Sequence, residues 1–176
     1  DGSTNDLTPW EGAKCNFFGW ARDKKSFFFM SNKRDERFFD LFEMDLENFE
    51  PQLIYENSDG YSLGGISDDK RWVVLSQSIT SANSEMYLYD RNKKEIKHIS
   101  KHEGDAEYNP QFFDNASEKL YYKTNENSEF QYVMSYDVTS GEKEKVWGRM
   151  TNFFGFFNTN SCIRNFSLGI LFLTNN

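Results

Sequence analysis

The amino-acid sequence predicts an all-β protein assembled from recurring antiparallel units, and three observations predict it. A pattern of hydrophobic runs and turns returns every 46 residues, from Trp20 to Ile66 to Phe112, with Asp23, Asp69 and Asn115 following in the turn. Within the units, alternation such as Met86 and Leu88 against Tyr87 and Tyr89 has the strand period of two, and no window sustains the apolar spacing of a helix. The segments between are rich in Asp, Asn, Gly and Ser, which favour tight turns. Four short strands in each repeat of about 40–50 residues mark the blade of a β-propeller. The prediction is therefore a partial β-propeller of about three four-stranded blades, over residues 13–55, 59–100 and 105–147, with residues 1–9 as the outer strand of a preceding blade.

Taken in order, the second strand of each unit is Phe27-Phe28-Phe29-Met30-Ser31, then Val73-Val74-Leu75-Ser76-Gln77, then Lys119-Leu120-Tyr121-Tyr122-Lys123. The third strands close on Asp45, Asp90 and Asp137. Short fourth strands fall at Leu53-Ile54-Tyr55, Ile96-Lys97-His98-Ile99 and Glu144-Lys145-Val146-Trp147. Leu7 stands one period before Leu53, and Leu7-Thr8-Pro9-Trp10-Glu11-Gly12 resembles Ile99-Ser100-Lys101-His102-Glu103-Gly104, which is why 1–9 is assigned to an outer strand. Antiparallel order puts the first-to-second and third-to-fourth turns on one face. The second-to-third loops and the inter-blade links share the other, and binding chemistry is carried on such loops.

Composition excludes several classes of function. The chain has 176 residues, 31 of them aromatic (18 Phe, 9 Tyr, 4 Trp), too many for a disordered segment. Twenty basic against 28 acidic residues give a net charge of -8 with no basic cluster, which argues against a nucleic-acid partner. No run reaches the ~18 apolar residues of a membrane span. Residues 1–6 lack the features of a signal peptide, and the missing initial Met is expected of a segment from inside a longer gene product. Cys15 and Cys162 fit neither a metal site nor a disulfide framework. Residues 148–176 hold no Asp or Glu, and 12 of these 29 residues are Phe or Asn. They are expected to be either an aberrant, out-of-frame end or a partial fourth blade.

The stretch Phe18-Gly19-Trp20-Ala21-Arg22-Asp23-Lys24-Lys25-Ser26-Phe27, with Ser31-Asn32-Lys33-Arg34-Asp35-Glu36-Arg37-Phe38-Phe39-Asp40-Leu41-Phe42, resembles the N-terminal propeller of bacterial prolyl oligopeptidase-family serine peptidases. Tyr55-Glu56-Asn57-Ser58-Asp59-Gly60 and His102-Glu103-Gly104-Asp105 extend the likeness, which runs from residue 1 to about 147. The blade pattern is shared with TolB-like propellers. The resemblance implies a C-terminal α/β-hydrolase domain that carries the catalytic triad, a propeller that limits access to peptides, and a bacterial cytoplasmic or periplasmic setting. The competing expectation is a TolB-like scaffold for protein–protein contacts.

Gly60-Tyr61-Ser62-Leu63-Gly64 satisfies the G-x-S-x-G pattern of a nucleophile elbow, but an elbow needs a strand before the serine and a helix after it. Here a polar loop precedes and a hairpin turn follows, so Ser62 is read as structural. His98 and His102 end a strand and open a loop, and are assigned to solvent. No catalytic, metal or cofactor-binding residue is expected, and no cofactor. Asn32, Arg34 and Arg37 form the most polar loop on the long-loop face, where arginines pair readily with carboxylates. They are the candidate contact with substrate or a neighbouring domain, against internal pairing with Asp35, Glu36 and Asp40. Three blades also leave two open radial ends, so the isolated segment is expected to self-associate.

Overall fold

The structure, a computed structural model, describes residues 4–147. They form three four-stranded antiparallel sheets. The first blade comprises β1 (Cys15–Trp20), β2 (Ser26–Asp35), β3 (Phe38–Asp45) and β4 (Pro51–Tyr55). The second comprises β5 (Ser62–Ile66), β6 (Trp72–Ser78), β7 (Ser84–Asp90) and β8 (Glu95–His98), and the third β9 (Tyr108–Phe113), β10 (Lys119–Thr124), β11 (Tyr132–Asp137) and β12 (Lys143–Trp147). Strand order within each sheet follows chain order, the up-and-down arrangement of a propeller blade.

Local chemistry builds the hairpins. At the closing turns the carboxylates of Asp45, Asp90 and Asp137 accept the amides of Glu47, Asn92 and Thr139 at 2.7–2.9 Å. Their carbonyls accept the amides of Phe49, Lys94 and Gly141. A short acceptor at the first position and a left-handed residue at the last define this turn, and φ is 57°, 57° and 79° at those three residues. The first hairpin of each blade closes through Ala21 N–H to Ser26 O, Ser67 N–H to Trp72 O and Asp114 N–H to Lys119 O.

That last bond corrects the repeat register. Phe27 pairs with Trp20 and Val73 with Ile66, but their equivalent Leu120 pairs with Phe113, so Phe113, not Phe112, stands in the repeat position. The interval between the inner strands of the second and third blades is therefore 47 residues, a net gain of one that combines a longer link, 99–107 against 56–61, with shorter segments before it. Each inner strand carries a bulge at the equivalent place, with Phe18, Gly64 and Gln111 as the extra residue. A bulge sharpens the local twist.

Alternation along the strands of the middle blade directs its two faces to two cores. Val73 and Leu75 meet Phe28, Leu41, Ile54 and Tyr55 of the first blade. Val74, Met86 and Leu88 meet Tyr108, Leu120, Tyr122 and Tyr136 of the third. Each fully buried side chain of this size contributes about 1.5–3 kcal/mol. The inner strands of the second and third blades approach closely at Gly64, where a Cβ would stand 2.6 Å from Cγ of Pro110.

Repeat-equivalent turns also converge, as radial packing requires. Arg22 of the first blade pairs with Asp68 of the second and donates to the Asn115 carbonyl of the third at 3.1 Å. Lys70 reaches back from the second blade to Glu43 at 2.6 Å and Ser26 at 3.3 Å.

Residues 4–10 join none of the three described sheets. An outer strand needs the third strand of its own blade as a partner, and the described residues contain no such strand. The expectations for residues 1–3 and for the 148–176 tail lie outside the described residues.

Candidate functional site

The long-loop face carries the polar residues singled out from sequence. Asn32 is buried, its Oδ1 accepting the Lys14 amide at 2.7 Å and its Nδ2 donating to the Glu36 carbonyl at 3.3 Å. Asn125 repeats this on the Glu107 amide at 2.8 Å. Both side chains thus anchor the chain entering an inner strand. Arg34 donates from Nε and Nη2 to the two carboxylate oxygens of Asp40 at 2.9 Å each, and from Nη2 to the Asn57 carbonyl at 2.8 Å. Asp40 is completely buried and also accepts the Asn57 amide at 2.8 Å. Asn57 in turn bonds both backbone groups of Tyr61. This network fixes the link from the first blade to the second.

Arg37 behaves differently. It forms a bidentate pair with Asp35 at 3.0 and 2.7 Å, yet its side chain is 75% exposed and lies over the Phe38 ring. The Arg37 hydrogen bond holds the Asp35 carboxyl far below the usual carboxylate range. Of the two arginines, Arg37 presents more of its side chain to solution, 75% against 35% for Arg34.

A cavity of about 280 Å³ lies beside the β6–β7 connection, bounded by Ser78, Thr80, Asn83 and Ser84 of the second blade and Glu107 and Asn109 of the third. Its lining is hydroxyl and amide with one carboxylate, Glu107, which accepts from Gln131 Nε2 at 2.9 Å. Such a surface exchanges hydrogen bonds with polar groups such as peptide amides. The density of Ser, Thr and Asn over residues 76–84 is its signal in the sequence. That Glu107, Tyr108 and Asn109 face it is visible only in three dimensions.

Nothing at these positions assembles a nucleophile with a base. Ser62 lies in β5 opposite Ser76 and leads through a hairpin into β6, so the strand–turn–helix of an elbow is absent there. His98 stacks on Tyr87, 3.6 Å from Glu85, and burial lowers its pKa despite that carboxylate. His102 bonds the Ser100 carbonyl and Asn83. Each ring is thus held by its own neighbours. Among the described residues no group of three or more His, Cys, Asp or Glu is placed to hold a metal.

Comparison with known proteins accords with this geometry. Residues 4–150 match the family described as prolyl oligopeptidase, N-terminal beta-propeller domain. No curated protein matches the chain in sequence. Among solved structures, TolB from Acinetobacter baumannii superposes with a TM-score of 0.53 at 16% identity, over 75% of this chain and 32% of that one. A structure from a study of two prolyl endopeptidases gives 0.55 at 15% identity, over 79% and 22%. A Mycobacterium tuberculosis puromycin-hydrolysing peptidase gives 0.53 at 10% identity, over 80% and 21%. The chain thus spans between a fifth and a third of these proteins. At such identities the superpositions show the fold, while the family match covers all three blades: this chain belongs to the prolyl oligopeptidase N-terminal β-propeller family.

Proposed function

We propose that this chain is the non-catalytic propeller portion of a prolyl oligopeptidase-type serine peptidase, docking on a C-terminal hydrolase domain and limiting its access to short peptides. The observation that carries this reading is the family match over residues 4–150. It is supported by the strand setting of Ser62, which gives the G-x-S-x-G match a structural place. On this reading the hairpin Asn32–Arg37 touches substrate or the hydrolase domain through Arg37, with Asn32 and Arg34 holding it in shape.

The test is a size series of substrates on the gene product that carries this segment. Gating predicts that kcat/KM falls steeply as peptides lengthen from a few residues to a folded domain, and that the chain alone hydrolyses none of them. Equal rates on short peptides and on long polypeptides would defeat gating. The TolB likeness supports a second reading, an interaction scaffold. A gene with no hydrolase sequence beyond the propeller would select it.

A further inference from the structure

His102 stands where the link between the second and third blades meets the polar cleft beside the β6–β7 connection. Its Nδ1 lies 2.7 Å from the Ser100 carbonyl oxygen, and its Nε2 lies 3.0 Å from Oδ1 of Asn83. Asn83 borders the cleft. Its backbone is fixed, because its carbonyl accepts the amides of Ile79 and Thr80 at 2.9 and 3.0 Å. Its side-chain amide can still turn, since the last torsion of asparagine is broad and roughly two-fold.

The proton on one ring nitrogen is dictated by its partner. A backbone carbonyl only accepts, so Nδ1 facing Ser100 carries a proton in every state. Nε2 then has two states. In the neutral ring it accepts, and the Asn83 group that satisfies it is the Nδ2 donor; in the imidazolium it donates, and the group that satisfies it is Oδ1. Uptake of one proton at Nε2 therefore turns the Asn83 amide over, and the limb not held by the ring changes from oxygen to N–H.

We infer that His102 is a proton-operated selector for the cleft: with the ring neutral, Asn83 offers its carbonyl oxygen to a ligand N–H, and with the ring protonated it offers an N–H to a ligand carbonyl oxygen. Glu107, the carboxylate in the lining, accepts in both states. The neutral form thus presents two acceptors and suits an ammonium or amide donor. The protonated form presents a donor and an acceptor and suits a peptide group, which has both.

The surroundings of the ring bear on its titration. The connection 79–83 contributes no charged residue. From β9, Tyr108 sets its ring 5.0 Å from the imidazole. From β8, His98 lies 3.6 Å from Glu85, and its protonation is opposed chiefly by burial, with the charges of Lys101 and His102 adding to it. Lys101, Glu103 and Asp105 lie beside His102 in the link. The inference concerns the cleft and is independent of peptide gating.

A nuclear magnetic resonance titration of the full 176-residue chain tests it. The His102 ring and the Asn83 side-chain amide move through one transition with a common midpoint between about pH 5 and 8, and one Asn83 amide proton is shifted downfield only above it. His102→Gln abolishes the Asn83 transition, and His98→Gln leaves it in place. Asn83→Asp supplies a group that only accepts, so the His102 midpoint moves up by about 1 unit or more. An Asn83 amide that ignores pH, one that follows His98 instead, or an unmoved His102 midpoint in Asn83→Asp would each overturn the inference. The unmodified chain and Asn83→Asp decide it if a histidine variant loses its strand circular dichroism.

Discussion

Replacing Arg34 by alanine separates a structural arginine from one reserved for a partner. The substitution removes two charge-assisted hydrogen bonds of 2.9 Å to a carboxylate that has no exposure, and a third to the Asn57 carbonyl. Breaking a buried ion pair from one side costs about 3–5 kcal/mol. Here the arginine side chain is 35% exposed, so water reaches the vacated site and the expected loss is about 2–3 kcal/mol. At roughly 2–4 °C per kcal/mol for a chain of this size, Tm falls by about 4–12 °C. Calorimetry on Arg34→Ala, Asp40→Asn and the double variant gives the coupling, expected to exceed about 1 kcal/mol for residues in direct contact. A Tm within about 1 °C of the unmodified chain, with no coupling, would refute the reasoning and return Arg34 to the binding surface.

Three further outcomes follow from the turns, the axis and the carboxylates. Phe49→Gly should raise the urea midpoint, since a left-handed φ of 57° at an exposed ring is strained; relief of about 1–2 kcal/mol exceeds the roughly 0.4–1 kcal/mol of extra unfolded-state entropy, and a lower midpoint would contradict this. Gly64→Ala places a Cβ at 2.6 Å from Cγ of Pro110 and 3.3 Å from Val74, so thermal unfolding should show about 1–3 kcal/mol of overpacking loss; an unchanged Tm would mean that the inner strands are not tightly apposed. Asp90 has its pKa lowered chiefly by hydrogen bonds from Arg71, with the Asn92 and Lys93 amides adding to it. Because the folded pKa lies below the unfolded one, its stabilisation is complete above about pH 5 and is lost as pH falls through the folded value. Asp90→Asn should therefore flatten the acid limb of a stability–pH curve, and an unaltered limb would exclude that contribution.

The strands, the closing turns and the absence of a nucleophile elbow at Ser62 were legible in the sequence because each depends on neighbours along the chain. Asp45, Asp90 and Asp137 bond amides two residues ahead, and a period of two assigns a side chain to a face whatever lies beyond it. Facing partners were not legible. That Glu107, Tyr108 and Asn109 border a cleft with the β6–β7 connection, and that Arg22 spans to Asp68 and Asn115, depend on how the sheets fan about an axis, whereas internal pairing of Arg34 with Asp40, one of the two readings the sequence offered, is decided within the first blade. The third blade shows the boundary most sharply: a spacing of 46 places Phe112 at the repeat position, while backbone pairing selects Phe113. A net gain of one residue between blades leaves the alternation of later strands intact yet moves every equivalence. Local periodicity therefore determined what each strand buries, and only the hydrogen-bonded register between strands decided which residues meet.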